Sequence, residues 1–327
     1  MSHRFWNALW RPESRRWIAW SLLASPLVSA CADRATEPPG ADRFEIVAGF
    51  TDDDTVANGE LRLLTADGAT QRQLVSLPGP DYDPNWSPDG RRIMFARESE
   101  TPLWLIDSDG TGLRAIPIPP HFEGGARWSP DGEWITFAYY PDGRSSNIGV
   151  MRADGTGLRS VTGDQVADAV SGPAWSRDGR IAFTRNFTNG AWSIWTVNLD
   201  GSNLTRLTTG AYDVLPRWSP DGTRLLFETE LNPSPGMSET RIAVVNADGS
   251  GRQVITPEVS DTQDANPSWS PDGRWILYAH WTYARGTGCS FYKIPATGGT
   301  PVPLVAGGPA AGRCMGSSWR GLPMGAQ

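Results

Sequence analysis

At 327 residues the chain can form one large domain or two ordinary ones, and 39% hydrophobic residues suffice for a substantial core. The net charge is −7; the first thirty residues hold four arginines and Glu13, a net +3, so without them it is −10, an acidic balance that excludes nucleic acid as a partner. With 36 glycines, 27 prolines and 16 tryptophans, the composition suits short strands joined by tight turns and leaves little place for helix.

Residues 1–30 read as an export signal. Arg4, Arg11, Arg15 and Arg16 precede an apolar stretch from Trp17 to Ala30, 14 residues long and too short to span a bilayer as a helix. It ends in Val28-Ser29-Ala30-Cys31, which resembles the lipobox of bacterial lipoproteins; that resemblance implies cleavage before Cys31 and a lipid on its sulfur. Ser14-Arg15-Arg16-Trp17-Ile18 also looks like a twin-arginine export motif, from whose usual continuation Ala19 and Trp20 depart. Residues 31–42 then form the lipidated cysteine and a polar tether with no apolar period. Cys289 and Cys314 remain, and two cysteines in an oxidising compartment are expected to form a disulfide.

From residue 43 to 321 two turn motifs alternate. The first is Trp86-Ser87-Pro88-Asp89-Gly90, repeated with its tryptophan at 128, 175, 218 and 269 and degenerate at Trp319-Arg320-Gly321. The second is an Asp-Gly turn at Asp67, Asp109, Asp154, Asp200 and Asp248, with Thr297-Gly298 in the sixth place. The tryptophans are 42, 47, 43, 51 and 50 residues apart, which brackets the period of a four-stranded propeller blade. Proline presets φ at the second position of each Ser-Pro-Asp-Gly turn and glycine tolerates its exit, so these residues are accounted for by turn chemistry.

The expected architecture is all-β: a six-bladed propeller with four antiparallel strands per blade. In the second blade the first strand ends in Trp86, the second runs Arg92 to Ala96, the third Leu103 to Ile106 and the fourth Leu113 to Ile116. The chain starts with second, third and fourth strands (Phe44 to Phe50, Leu61 to Leu64, Gln73 to Val75), and Gly316-Ser317-Ser318-Trp319 supplies the missing first strand. The first blade is therefore closed by the C-terminus, and residues 322–327 are a tail. The motif tryptophans are expected between neighbouring blades.

These motifs resemble the TolB-like family of WD-type propeller repeats over residues 43–321. The resemblance implies the propeller fold. The α/β domain that precedes the propeller in the family's namesake has no counterpart here, so an envelope role is implied more weakly than the fold.

The motif turns share one face, whereas the loops between strands two and three and between blades vary in length on the other. The binding face is expected there, with Phe122, Tyr139, Tyr140, Phe187, Tyr212, Trp281 and Tyr283 beside acids such as Asp52, Asp53, Asp54, Glu98, Glu100, Asp213 and Asp264. Arg127 and Arg217 precede motif tryptophans on innermost strands and are candidates for lining the channel and attracting an anion, or for pairing with nearby carboxylates. No metal cofactor is expected. Asp52-Asp53-Asp54 and the Asp-Gly turns offer oxygen to calcium, but none has the spacing of an EF-hand.

Only His121 and His280 follow the signal, and there is neither a His-Glu-x-x-His nor a Gly-x-Ser-x-Gly motif. The favoured expectation is a monomeric, non-enzymatic, membrane-tethered scaffold for an envelope protein, peptide or glycan. The alternative is a propeller lyase or hydrolase acting on extracellular polysaccharide, with an acid pair in the channel.

Overall fold

In the computed structural model the described residues are 44–51, 58–79, 81–97, 103–119, 121–142, 145–163, 169–186, 190–210, 212–231, 239–282, 289–305 and 314–320. The signal, tether and tail, with Cys31, Phe187 and Tyr283, lie outside them, as do Asp52, Asp53, Asp54, Glu98 and Glu100.

The described strands form six four-stranded antiparallel sheets. Blade 1 comprises β24 (Cys314–Trp319), β1 (Phe44–Thr51), β2 (Asn58–Thr65) and β3 (Gln71–Pro78). Blade 2 is β4 (Asp81–Trp86), β5 (Arg92–Arg97), β6 (Leu103–Asp107) and β7 (Arg114–Ala115), and blade 3 is β8 (Phe122–Trp128), β9 (Trp134–Tyr139), β10 (Asn147–Arg152) and β11 (Arg159–Ser160). Blade 4 is β12 (Ala169–Trp175), β13 (Arg180–Asn186), β14 (Trp192–Asn198) and β15 (Thr205–Arg206). Blade 5 is β16 (Asp213–Trp218), β17 (Arg224–Glu230), β18 (Thr240–Asn246) and β19 (Gln253–Val254); blade 6 is β20 (Thr262–Trp269), β21 (Trp275–Thr282), β22 (Ser290–Pro295) and β23 (Val302–Val305). The fourth strand of blade 2 is two residues long, shorter than the stretch expected from Leu113 to Ile116: Leu113 lies outside the ladder, and Ile116 meets β6 through its N–H alone, which donates to the Leu103 carbonyl at 2.8 Å.

The core lies in the seams between blades. Each seam holds its own apolar cluster, such as Leu226, Ile242 and Val244 of blade 5 against Trp269, Ile276 and Tyr278 of blade 6. Second and third strands are sandwiched between neighbouring blades and are therefore nearly continuously apolar: Arg92-Ile93-Met94-Phe95-Ala96-Arg97 buries its four central residues together. Every motif tryptophan stands in a seam, and arginines of the preceding blade cover four of them. Arg92 lies 5.1 Å from the ring centre of Trp128, Arg180 4.8 Å from Trp218, Arg224 4.9 Å from Trp269 and Arg320 5.3 Å from Trp86.

The turn residues bond to their own turns. Ser219 Oγ donates to Asp221 Oδ1 at 2.6 Å and accepts the Arg224 N–H at 2.9 Å, and Ser87, Ser129, Ser176 and Ser270 repeat the pattern. In the Asp-Gly turns Thr156 Oγ1 donates to Asp154 Oδ1 at 2.7 Å and its N–H donates to the same oxygen at 2.9 Å. These two bonds hold the Asp154 carboxyl below the usual carboxylate range.

Closure follows the predicted pattern: β24 pairs antiparallel with β1, placing Trp319 opposite Ile46, and Ser318 Oγ accepts the Trp86 N–H at 3.1 Å. A disulfide joins Cys289, at the start of blade 6's third strand, to Cys314 of β24, with 5.5 Å between Cα atoms.

Candidate functional site: the channel wall and loop face

Three residues before each motif tryptophan the innermost strand bulges, with φ positive at Asp83, Gly125, Gly172, Leu215, Asn266 and Gly316 and a break in register at each site. Consecutive bulges touch: a Cβ on Gly125 would stand 3.3 Å from the Gly172 Cα, and one on Gly316 would stand 3.2 Å from the Asp83 Cα. Glycine serves where the next backbone comes this close, and the six bulges narrow the axis of the ring.

The second strand of each blade meets the following blade's bulge at the position three residues after the one paired with the motif tryptophan. That position holds Gly49, Ala96, Ala138, Thr184, Glu228 and Ala279 in blades 1 to 6. Small residues suit the crowding. Thr184 uses its hydroxyl to accept the Leu215 bulge N–H at 2.9 Å, and Glu228 Oε1 accepts the Asn266 bulge N–H at 2.6 Å. Glu228 is the one charged residue of the set and is 5% exposed. Burial pushes its carboxyl up to about 7, against the pull of the Asn266 N–H and Arg217 and with added repulsion from Asp264.

Arg127 and Arg217 differ in their bonding. Arg127 makes a two-pronged ion pair with Asp83, Nη1 to Oδ2 at 2.7 Å and Nη2 to Oδ1 at 2.6 Å, so its charge is matched within the wall. Arg217 donates Nη1 to the Pro216 carbonyl at 2.9 Å, and among the described residues no carboxylate pairs with it. Burial and the like charge of Arg127 push Arg217 down to about 9, while Asp83 and Glu228 act in the opposite sense. Asp83 belongs to blade 2, Arg127 to blade 3 and Arg217 to blade 5. Arg217 itself is half-buried on the inner strand β16, immediately before Trp218.

A second polar group fills the loop end of the blade 5–6 seam. Asp264, 3% exposed, lies with Oδ1 2.7 Å from His280 Nδ1, and the imidazole meets the Tyr292 ring edge-on at 5.2 Å. Arg241 is 1% exposed and donates to the carbonyls of Thr240 at 2.7 Å and Thr262 at 2.8 Å and to that of Val259, which pins the connection from blade 5 to blade 6. Asp213 is likewise buried, accepting from Thr229 Oγ1 at 2.8 Å and from Arg252 Nη2 at 3.2 Å.

The loop face needs correction in several places. Tyr139, 5% exposed, is a core residue of the blade 2–3 seam against Phe137, because it is the last paired residue of β9 and its ring turns inward. Phe122 is half-buried against the same cluster, and Trp281 against the blade 6–1 cluster. Tyr212 packs on Trp192 at 6.3 Å between ring centres, and burial pushes its hydroxyl up. Tyr140 is half-buried at the His121 turn, its N–H donating to the His121 carbonyl at 3.1 Å. Asp213 and Asp264, expected at the surface, are buried because a hydroxyl and a guanidinium bond the first and an imidazole meets the second. Among the described residues no group of three His, Cys, Asp or Glu is placed to hold a metal ion, and no helix is long and apolar enough to cross a membrane.

Glu228 was missed by sequence reasoning, although the repeats carried a signal. Ile93-Met94-Phe95-Ala96, Ile135-Thr136-Phe137-Ala138 and Ile276-Leu277-Tyr278-Ala279 align with Leu225-Leu226-Phe227-Glu228, so a carboxylate stands in a column of small residues.

Known proteins agree with this architecture. TolB from Acinetobacter baumannii superposes with a TM-score of 0.69 at 20% identity, covering 85% of this chain and 67% of that one, a likeness of fold. In sequence, the uncharacterized protein Atu1656 of Agrobacterium fabrum is 30% identical over 115 residues, 34% of this chain and 39% of its own length. The Tol-Pal system protein TolB of Zymomonas mobilis is 36% identical over 80 residues, 24% of this chain and 17% of its own. The matched stretches thus span well under half of these two relatives. The TolB beta propeller domain matches from residue 44 to residue 319, the whole ring from its first strand to its last, and the chain belongs to that family.

Proposed function

We propose that this propeller is a non-catalytic scaffold, tethered to a bacterial envelope membrane through lipidated Cys31, that holds a partner protein at its loop face and channel. The observation that carries the reading is the contrast in bonding across the molecule. The motif turns bond to themselves, whereas Arg217, on the inner strand β16, has a guanidinium that bonds only one carbonyl among the described residues. Tyr140 and Trp281, half-buried beside the variable loops, offer amphipathic contact area next to it. Family membership and the lipobox support an envelope location.

Crosslinking the protein in place in envelopes and identifying captured chains by mass spectrometry tests this. A stoichiometric partner that is retained by wild type and lost when Tyr140, Arg217 and Trp281 are changed together is the expected result. No partner, or one that the triple variant retains, would defeat it. For the tether, Cys31→Ser is expected to release the protein from membrane fractions and abolish metabolic labelling with palmitate.

One observation favours a hydrolase as the second reading. Asp264, His280 and Ser290 stand opposite one another on β20, β21 and β22, a carboxylate, an imidazole and a hydroxyl in one row of blade 6. A fluorophosphonate probe that labelled wild type and left Ser290→Ala unlabelled would favour it over the scaffold.

A further inference from the structure

The repeat offers an internal control for every position, because turn, seam and bulge make the same demands in each blade. A residue that breaks a column without serving those demands is a candidate for another role. Two such departures meet at the axis. Glu228 puts a carboxyl where other blades carry Gly, Ala or Thr, and Thr184 shows that a neutral hydroxyl suffices to accept a bulge N–H. Arg217 occupies the position before its tryptophan, where Asn85, Ala174, Ser268 and Ser318 stand in other blades and where Arg127 is matched by Asp83.

We propose that Arg217 and Glu228 form a proton-gated anion site in the channel, which takes a single carboxylate or comparable oxyanion on Arg217 while Glu228 is protonated and releases it when Glu228 ionises. This deepens the scaffold reading by naming the group the channel would grip, and its test uses no partner.

The surroundings define the gate. Glu228 faces Arg217 of its own blade, Asp264 and the Asn266 N–H of blade 6, and Tyr212 ahead of β16. Asp264 is engaged by His280, and Glu230 lies near Tyr212. The charges of Arg127 and Asp83 also act on Arg217, and those two pair with each other. Glu228 is therefore the acid beside Arg217, two positions along β17 from the Leu226 that Arg217 pairs with, whose ionisation changes the charge available to a ligand. When Glu228 is protonated, the guanidinium has no carboxylate of its own within ion-pair distance among the described residues, and an incoming anion gains a charge-assisted hydrogen bond. When Glu228 ionises, it competes for Arg217 and repels the ligand. The Glu228 carboxyl, pushed up to about 7 by burial, sets the switch near neutral pH.

The experiment titrates the full-length protein in detergent with sulfate, whose charge is constant between about pH 6 and 8.5, and repeats it with acetate. The readout is the Nε resonance of Arg217, assigned by its absence in Arg217→Gln. If only the protonated form binds, the apparent Kd follows the protonated fraction and should weaken about thirtyfold across that range for either anion. Glu228→Gln should keep the tight binding at both pH values. Arg217→Lys, which retains the charge and is read by titration calorimetry because it lacks that resonance, serves as the second variant should the glutamine disturb folding, and it should weaken binding while preserving the pH dependence. Equal affinity at the two pH values in wild type, a pH dependence that survives in Glu228→Gln, or no shift of Arg217 with either anion would overturn the proposal. Because no partner is present, such a failure leaves the scaffold reading to stand or fall on the crosslinking.

Discussion

The motif-turn face and the blade 5–6 seam use the same residue types in opposite ways. On the turn face each aspartate receives a hydroxyl and a backbone N–H from its own turn, as Asp248 does from Ser250 at 2.6 and 2.9 Å. Its charge is satisfied locally and in water. In the seam Glu228 and Asp264 are buried, and their partners come from the neighbouring blade or a neighbouring strand, as do those of the buried Asp213 of blade 5. A repeated turn motif can therefore vary little without local loss, whereas the seam positions are individual to a blade. The same bulged strand supports both because it lets the inner strands of blades 5 and 6 aim a backbone N–H at a side chain of the preceding blade.

The comparison can be broken most severely by removing what both regions rely on. A chain ending at Arg313 lacks β24, exposes the inner edge of blade 1 and should lose its cooperative thermal transition; an unchanged melting temperature would refute closure by the C-terminal strand. Replacing Cys289 and Cys314 by serine releases a loop spanning a separation of 25 residues, and denaturant unfolding should show a loss of about 3 kcal/mol.

The seam itself is sharpened by pH. The folded Glu228 carboxyl, at about 7, lies above its unfolded value, so between the two the native state binds more protons and stability falls as pH rises. Its contribution is fully present below the unfolded value and gone above about 7. Glu228→Gln should therefore flatten the profile and be more stable than wild type at alkaline pH, relative to acid, by about 3 kcal/mol, measured by urea unfolding across pH. A parallel profile in the two proteins would contradict a buried neutral acid. The smallest effect belongs to the turn face: Ser219→Ala removes the bonds to Asp221 and Arg224 in one of several equivalent turns and should lower stability by about 1 kcal/mol with no pH dependence near neutrality.

Most of the architecture was legible in the residues because propeller turns write themselves locally. Ser-Pro-Asp-Gly and Asp-Gly specify their turns within five residues, and their alternation counts the blades and shows which strand is missing at Phe44. The channel was half legible. Arg127 and Arg217 look alike in sequence, each preceding a motif tryptophan, yet Asp83 lies 44 residues from Arg127 and nothing local reveals that they pair. Tyr139 illustrates the converse: beside Tyr140 it reads as an exposed aromatic pair, but the last register position of β9 turns it into the seam.

Taken alone, then, the amino-acid order determined the number of blades, the turns and the way the ring closes, since each depends on contacts a few residues apart or on counting repeats. Which arginine pairs with a carboxylate, which carboxylates are buried and where Glu228 sits were decided only by tertiary structure. Burial and charge pairing depend on blades meeting across a seam or an axis, and no local pattern records who faces whom.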